Sequence, residues 1–333
     1  MKIRILAIFT VLLITAGAAS QSRAWNDRGH MTVAYIAYQR LTPQTKARVK
    51  ALLELNPFHD RWAAAVPAGV SAEDKDMIIF MLAATWADEI KGEPGFVDDG
   101  SHGGNRPDGN PNANQNTGFD DKQKHKYRHF IDKPFSTPDG LPLPSIPSPN
   151  VQDSIALFRG VLASSDPDPK KAYDLSWLLH LVGDVHQPLH ATTRVTSALP
   201  DGDDGGLEVN LSCANCPTKL HFFWDDLLGV TTKLQAPPDE KGLPDPPSIR
   251  AIIQAAKRLP PADATAAAVS SEAEWVRESF EAAQSSVYPG LVPAAGGHFS
   301  LTPSYRTAAK KLAKKRIALA GARLANLLNN ELH

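Results

Sequence analysis

The sequence is poor in cysteine, in net charge and in long apolar runs. Its 333 residues include only two cysteines, which excludes a framework of several disulfides. The net charge of -1 at pH 7 excludes a broad basic field for tight binding of duplex nucleic acid. No internal repeat is present, and strand-like alternation of apolar and polar residues is absent outside residues 200–218. These absences favour a mainly α chain whose contacts with charged partners are local.

The one long apolar run is at the N-terminus, where the sequence has the pattern of a secretory signal. Basic residues at positions 2 and 4 precede an apolar run from residue 5 to about residue 19. The small-x-small pattern of residues 22–24 then predicts cleavage after Ala24. The run is too short for a membrane anchor, although a retained anchor is the alternative. We therefore predict a mature chain that starts at Trp25, is secreted or periplasmic and has no membrane anchor.

Most of the mature chain has the apolar spacing and the caps of helices, and its composition, 42% hydrophobic, is enough for a sizeable core. The predicted helices cover residues 26–41, 42–55, 71–90, 150–163, 169–187, 221–228, 248–259, 262–286 and 302–330. Two stretches are predicted to be surface loops because turn-forming residues dominate them. They are residues 92–125, which form either a lid or a loose insertion, and residues 133–150, which contain six prolines. Residues 200–218 could form a short β-hairpin, and Cys213 and Cys216 either close a small loop or remain free thiols.

The most informative stretch is residues 176–190. His180 and Asp184 are four residues apart, so a helix places them on the same face. Pro188 lacks an amide hydrogen and should end the helix, which lets His190 turn back toward the same point. Two imidazoles and a carboxylate around one spot are typical zinc ligands. The alternative for this stretch alone is a capped amphipathic helix with incidental histidines.

Further candidate ligands recur along the chain. His221 and Asp225 repeat the four-residue spacing, Asp88 ends an apolar helix where a carboxylate is unfavourable, and His129 follows the first long loop. Several such groups predict a multinuclear site, because carboxylates between neighbouring cations offset the repulsion between them. If Trp25 becomes the first residue, its free amine and carbonyl could chelate a metal.

In this order the motifs resemble the secreted zinc-dependent single-strand-specific nucleases and 3′-nucleotidases of the mung bean nuclease type, which are grouped with the bacterial zinc phospholipases C. The resemblance covers most of the mature chain. It rests on Trp25 with Gly29-His30, Trp86-Ala-Asp88, His129-Phe-Ile-Asp132, His180-Leu-Val-Gly-Asp184, Gln187-Pro-Leu-His190, His221 with Trp224-Asp225, and the closing Ala320-Gly-Ala-Arg-Leu-Ala-Asn-Leu-Leu-Asn329. It implies a single mainly α domain over residues 25–333, of the zinc phospholipase C and nuclease type, with three zinc ions.

The resemblance also implies a role for each matching residue. The first zinc would take Asp88, His129, His180 and Asp184, the second His190, His221 and Asp225, and the third Trp25, His30 and Asp184. Asp184 would bridge the first and third ions. Lys91 would contact phosphate, Phe130 would stack on a base, and Asp132 would hydrogen-bond it. The catalytic set would be Asp88, His129, His180, Asp184 and Lys91.

The expected activity is endonucleolytic hydrolysis of single-stranded DNA and RNA to 5′-phosphorylated products, with phosphate release from 3′-nucleotides. We expect a monomer without a protein partner. Two alternatives remain: a phospholipase C with the same metals, and a secreted zinc-binding protein without activity. The sequence departs from the family at residues 205–207, where Gly-Gly-Leu replaces the frequent Gly-Gly-Asn, and in its long first loop. His186 is interpreted as lying behind the ligands or on the surface.

Overall fold

The computed structural model describes residues 25–212, 216–236 and 242–332. The fold is mainly α, as the sequence predicts. The helices are α1 (Asp27–Tyr38), α2 (Pro43–Leu53), α3 (His59–Ala65), α4 (Ala72–Ala83), α5 (Trp86–Glu89), α6 (Val151–Ala163), α7 (Asp168–Asp184), α8 (Leu220–Asp225), α9 (Pro246–Ala256), α10 (Ala264–Ala267), α11 (Glu272–Ala282) and α12 (Pro303–Glu331). The predicted signal peptide lies outside the described residues.

Helix α7 is the central helix of the fold. It packs against α6, α2, α12 and α1, and every residue from Ala172 to Asp184 is buried. A helix that is covered on all sides needs an apolar sequence or fully paired polar groups. His180 and Asp184 are both 0% exposed, so this helix places polar side chains in the middle of the molecule. Helix α1 packs against α12, α4 and α9 as well as α7, which completes the enclosure.

The helices begin where the sequence offers caps. The Thr42 side chain accepts a hydrogen bond from the Thr45 amide, and Pro43 takes the first position of α2. Asn150 and Asp153 form a capping box at the start of α6. These local interactions explain why the predicted starts of both helices are close to the observed ones.

Several predicted helix limits are wrong. The helix predicted over residues 71–90 breaks after Ala83 and resumes as α5, and the central helix ends at Asp184 rather than at Gln187. The helix predicted over residues 262–286 is divided into α10 and α11, and α11 continues as a wider π turn over residues 283–287. Helix α3 was not predicted, because it has only seven residues and no side-chain cap.

The β structure consists of small pairs. Strand β1 (Pro134–Ser136) runs parallel to β2 (Thr193–Val195), and β3 (Leu291–Pro293) runs antiparallel to β4 (Phe299–Leu301). The hairpin expected within residues 200–218 is minimal: the Leu211 amide donates to the Thr218 carbonyl at 2.8 Å. Cys216 is disulfide-bonded, and Cys213 lies outside the described residues. Strand β1 occupies the start of the second predicted loop.

The loop over residues 92–125 is built around buried hydrogen bonds and is not a loose insertion. The Asp99 carboxylate accepts from the His125 amide and from the Tyr127 hydroxyl, at 2.8 and 2.6 Å. The Asn116 side chain donates to both carboxylate oxygens of Asp174 on α7. Buried polar groups hold a unique conformation when they are paired, so these contacts fix the loop against the central helix.

Candidate metal centre

Four helices and two short 3₁₀ turns bring the predicted ligands together. His30 comes from α1 and Asp88 from α5. The pair His180 and Asp184 comes from α7, and the pair His221 and Asp225 comes from α8. His129 ends the 3₁₀ turn at residues 126–129, and His190 lies in the turn at residues 188–191. All nine predicted ligand residues are buried, and they are Trp25, His30, Asp88, His129, His180, Asp184, His190, His221 and Asp225.

The first group comprises Asp88, His129 and His180, whose ligand atoms lie within 4.8 Å of one another. His180 Nε2 is 3.9 Å from Asp88 Oδ1. The neighbouring Asp184 joins this group, because its Oδ2 is 3.0 Å from His129 Nδ1 and 3.3 Å from His180 Nε2. The four residues that the resemblance assigns to the first metal are therefore adjacent.

The position of Asp88 differs from the prediction. The sequence placed it at the negative end of a long helix, but α4 ends earlier and Asp88 lies in the first turn of α5. Its carboxylate instead accepts a hydrogen bond from Lys91 Nζ at 2.7 Å, and both side chains are buried. A buried ion pair of this kind holds its partners in place.

The second group comprises His190, His221 and Asp225. The two histidine Nε2 atoms are 3.1 Å apart, and His221 Nε2 is 3.6 Å from Asp225 Oδ2. Gln187 donates to the other carboxylate oxygen of Asp225 at 2.9 Å. Gln187 lies just after the end of α7. Its contact with a candidate metal ligand was not predicted from the sequence.

The third group comprises His30, His180 and Asp184. His30 Nε2 lies 3.2 Å from Asp184 Oδ1, the carboxylate oxygen that faces away from His129. Asp184 therefore lies between two groups, as the bridging role requires. Trp25 is near: a Cβ on Gly183 would lie 3.9 Å from the Trp25 indole and 2.9 Å from His30 Nδ1.

Backbone carbonyls orient three of the imidazoles. The Nδ1 of His180 donates to the Ala84 carbonyl, that of His190 to the His129 carbonyl and that of His221 to the Gly205 carbonyl, each at 2.8 Å. A proton held on Nδ1 leaves the lone pair of Nε2 free for a metal. In each case Nε2 points toward the group to which the residue belongs.

Burial and neighbouring charges shift the pKa values of these groups. Burial lowers the pKa of His129 to about 3 and that of His30 to about 4, so both imidazoles are neutral near pH 7. Burial alone would raise the pKa of Asp184, but the charge of His180, the hydrogen bond with His129 and the adjacent His30 hold it well below its usual range. Burial raises the pKa of Asp225 well above its usual range, and Asp226 and other nearby carboxylates add to the shift. A cation would offset that cost.

Several buried polar atoms of the three groups lack a hydrogen-bond partner within the described chain. They are both nitrogens of His30, Nε2 of His129, Nε2 of His180, Oδ1 of Asp184 and Oδ2 of Asp225. Unpaired buried polar atoms are costly and uncommon. Their chemistry, imidazole nitrogen with carboxylate oxygen, fits zinc. The donor set therefore fits divalent metal ions.

A pocket opens beside the second group. His221, Gly205, Phe130 and Asp132 all line it. The two predicted base-contacting residues thus face the same space as a candidate metal ligand. The pocket is also lined by residues that sequence reasoning did not select, namely His102, Asn105, Arg106, Leu189, Asp204 and Leu207. His102, Asn105 and Arg106 belong to the 92–125 loop. The only sequence feature that pointed to a role for them is the position of this loop between two candidate ligands, Asp88 and His129.

A model of the family described as S1/P1 Nuclease matches residues 25–333. The chain belongs to the S1/P1 nuclease family. This nuclease is a hydrolase that acts on nucleic-acid esters; its family is zinc-dependent, and the described part of the chain contains three groups of His and Asp residues that could hold a metal ion. No curated protein matches the chain. Among the described residues of this S1/P1 nuclease, no helix is long and apolar enough to cross a membrane.

His186, for which the sequence predicts a position behind the ligands or on the surface, is fully buried in this nuclease. Its Nδ1 donates to the Val182 carbonyl, and its Nε2 accepts from Arg323 of α12 at 3.0 Å. Arg316 donates to the His186 carbonyl at 3.1 Å. These contacts tie the end of α7 to α12, which keeps the turn between Asp184 and His190 in place.

Proposed function

We propose that this nuclease hydrolyses single-stranded DNA and RNA endonucleolytically, gives 5′-phosphorylated products and also releases phosphate from 3′-nucleotides. The observation that carries the proposal is the adjacency of the second candidate group to a pocket that contains Phe130 and Asp132. A half-buried aromatic ring and a carboxylate beside the second candidate group suit an unpaired nucleotide better than a lipid headgroup. We also propose a mature chain that begins at Trp25 and is secreted or periplasmic as a monomer.

Three zinc ions are the proposed cofactors. The first would be held by Asp88, His129, His180 and Asp184, the second by His190, His221 and Asp225, and the third by Trp25, His30 and Asp184. The unpaired buried nitrogens and oxygens described above support this assignment, because each gains a partner on binding a cation. Placing a free amine at Trp25 requires that residues 1–24 are removed.

Bound zinc lowers the pKa of water to near 7 and polarises phosphoryl oxygens. The protein contributes position and charge. Asp184 fixes His30, His129 and His180 around one carboxylate, with nitrogen–oxygen distances between 3.0 and 3.3 Å. Lys91, held against Asp88, brings a buried positive charge to the first group, where it would attract a phosphate oxygen.

Phe130 and Asp132 account for the proposed preference for single strands. Base stacking on an aromatic ring contributes about 1 to 3 kcal/mol per base, and a base inside a duplex cannot supply it. Asp132 lines the same pocket as Phe130. It would therefore hydrogen-bond the edge of a base that is stacked on the Phe130 ring. The chain needs no broad basic surface for this mode of recognition, in agreement with its net charge of -1.

The test uses mature protein that starts at Trp25. It is incubated with single-stranded DNA, single-stranded RNA, duplex DNA and a 3′-mononucleotide, with zinc or with a chelator, and the phosphate position on the products is determined by mass spectrometry. Zinc-dependent 5′-phosphorylated products from single strands, with free phosphate from the mononucleotide, are expected. Hydrolysis of phosphatidylcholine instead of these substrates would replace the proposal with a phospholipase C, and zinc binding without any turnover would replace it with a binding protein.

A further inference from the structure

Three charged side chains line the pocket beside the second group, and within the described chain none of them has a hydrogen-bond or ion-pair partner. They are Arg106 from the 92–125 loop, Asp132 and Asp204. The positive charge of Arg106 acts on both carboxylates without closing an ion pair with either. Arg106 and Asp132 are half-buried and Asp204 is exposed, so a ligand that displaces water from the pocket has to replace the hydrogen bonds of these charged groups. The pocket is therefore built to receive a polar, hydrogen-bonding partner.

The segment that carries Arg106 is held by its backbone. Ser101 and Arg106 exchange two backbone hydrogen bonds, at 3.0 and 3.2 Å, across a turn of four intervening residues, 102–105. Gly100 has a φ of +89°, and a Cβ there would lie 1.9 Å from the Arg106 carbonyl oxygen, so only glycine fits. Lys126 donates to the Gly103 carbonyl at 2.9 Å and anchors the turn to the far end of the loop. The Arg106 side chain is thus presented by a fixed turn.

The backbone at Asp204, which also lines the pocket, is held as well. Asp203, the buried neighbour of Asp204, accepts hydrogen bonds from the Arg194 amide and from the Tyr288 hydroxyl, at 2.9 and 3.0 Å. The Asp204 amide itself donates to the Thr193 hydroxyl at 3.2 Å. These contacts hold the backbone that carries Arg106 and Asp204 in place before any ligand arrives, which reduces the cost of ordering the pocket on binding.

The hydrogen-bonding atoms of Arg106, Asp132 and Asp204 can be compared with those on the edges of the nucleobases. A carboxylate accepts, and the most complementary base has two adjacent N–H donors, which guanine offers at N1 and N2. A guanidinium donates two parallel hydrogen bonds, and guanine accepts such a pair at O6 and N7. Adenine and cytosine have one exocyclic amine and no ring N–H on that edge, and uracil and thymine have one ring N–H and no amine. Only guanine supplies both the paired donors and the paired acceptors.

We propose that Arg106 is a specificity-determining residue which, with the carboxylates of Asp132 and Asp204, makes this pocket selective for guanine. The guanidinium donates to O6 and N7, one carboxylate accepts from N1–H and the N2 amine, and Phe130 supplies the stacking face. This inference rests on the proposed function, since it takes a nucleobase to be the occupant of the pocket. It goes beyond that function because it names the base and assigns a role to the 92–125 loop.

Binding of nucleosides, which carry no phosphate and are not hydrolysed, tests the inference directly. Isothermal titration calorimetry of the mature, zinc-loaded protein would compare guanosine, inosine, adenosine and cytidine. Guanosine should bind at least about tenfold more tightly than adenosine and cytidine, since hydrogen bonds to charged groups are the strong ones. Inosine lacks only the N2 amine, so its affinity should fall several-fold below that of guanosine. Equal affinity for all four nucleosides would overturn the inference.

Two variants separate the role of Arg106 from a general effect on charge. R106Q removes the charge and the paired donors, so its affinity for guanosine should fall about tenfold to that of adenosine. R106K keeps the charge but not the planar pair of donors, and it should also lose most of the guanosine preference. The matched control is R250Q, on the exposed face of α9, which should bind guanosine as the wild type does. If R106K retained the full preference, charge neutralisation alone would be its role and the proposal would be wrong.

Turnover separates the failure of this inference from the failure of the proposed function. If the protein hydrolyses single strands but shows no preference for 3′-GMP over 3′-AMP and no guanosine preference, only the guanine assignment is lost. If it binds guanosine selectively but hydrolyses no nucleic acid, the guanine pocket stands and the proposed activity is wrong. Thermal unfolding of each variant, measured in parallel, verifies that the protein is folded.

Discussion

The imidazole rings of His30 and His180 lie stacked, with their centroids 3.7 Å apart and their planes inclined by 12°. They come from α1 and α7, and both present Nε2 to the Asp184 carboxylate, at 3.2 and 3.3 Å. Two stacked imidazoles would repel each other if both were protonated. Burial and the neighbouring His180 keep the pKa of His30 at about 4, so this ring is neutral and suited to a metal.

The stack depends on Gly183, and Gly183→Ala is expected to disrupt it. A Cβ at this position would lie 2.9 Å from His30 Nδ1, so the ring has to move away from Asp184. We expect the purified variant to bind about one zinc ion fewer per chain and to lose at least about tenfold in kcat/KM, as small displacements of catalytic groups commonly do. Elemental analysis of dialysed protein and a single-strand cleavage assay provide the measurements.

Gly160→Ala is the matched control for that substitution. Gly160 lies within α6, and a Cβ there would have nothing within 4 Å, so the change adds the same methyl group to a helix without a clash. It should leave zinc content and activity unchanged and raise stability by roughly 0.5–1 kcal/mol. Normal zinc content and activity in Gly183→Ala would show that His30 does not need its stacked position.

Removal of zinc is expected to destabilise the protein. Without a cation, the unpaired atoms of His30, His129, His180, Asp184 and Asp225 remain buried and unsatisfied. A ligand that binds only the folded state, at a free concentration about 1,000 times its Kd, adds about 4 kcal/mol to the free energy of unfolding. Removal of the zinc with a chelator should therefore lower Tm by roughly 10 °C.

Differential scanning fluorimetry with a chelator, followed by zinc in excess, provides the measurement of that change. Zinc should restore the Tm, whereas magnesium should not, because magnesium prefers oxygen ligands and the three groups are rich in imidazole. A Tm that did not respond to the chelator would argue against any buried metal in these groups.

A residue retained before Trp25 should abolish the proposed N-terminal ligand. Asn26 fixes this end of the chain: its Nδ2 donates to Asp226 at 2.7 Å and to the Gly229 carbonyl at 2.9 Å, while its Oδ1 caps α1. The extension leaves those contacts in place but converts the amine into an amide, which is a poor metal ligand. We expect the loss of most activity in a cleavage assay.

The control for the extended protein is the same molecule after the extension has been removed. An extension that a protease cleaves directly before Trp25 allows activity and zinc content to be compared within one preparation. Both should recover on cleavage. Full activity before cleavage would exclude the terminal amine as a ligand.

Stability should fall as pH rises through the range in which Asp174 titrates. This side chain is 0% exposed, and burial raises its pKa in the folded protein to about 8, compared with about 3.9 in an unfolded chain. The folded state therefore holds more protons than the unfolded state between about pH 4 and pH 8, and stability declines across that window. Asp174→Asn should remove this part of the decline, so that its free energy of unfolding, compared with that of the wild type, should be roughly 1 kcal/mol or more higher at pH 8.5 than at pH 5.

The neighbouring Asn116 explains why the amide should be tolerated. Its Nδ2 donates to both oxygens of Asp174, while its Oδ1 is buried without a partner in the described chain. An amide at position 174 can donate to that oxygen after a flip of Asn116. Urea unfolding at pH 5 and pH 8.5 provides the measurement, with the exposed Asp139→Asn as control. An identical pH dependence in wild type and Asp174→Asn would contradict the prediction.

The spacing of the ligands could be predicted from the sequence because it is local. A helix fixes the relation of His180 to Asp184 and of His221 to Asp225, and Pro188 fixes the end of the helix to within three residues. The caps at Thr42 and Asn150 likewise act on amides only two or three residues away. The mainly α class and the nine candidate ligands therefore follow from short-range rules and from the resemblance.

The contacts between distant segments were decided only by tertiary structure. No local rule pairs Asp99 with His125 or places Arg106 and Asp204 in one pocket, because these depend on how the chain returns after long loops. The same holds for the break before Asp88 and for the stacking of His30 on His180. Buried hydrogen bonds and close packing select one loop conformation among many that have similar local energies. The sequence by itself thus determined which residues could bind metal, and the folded chain determined what lies beside them.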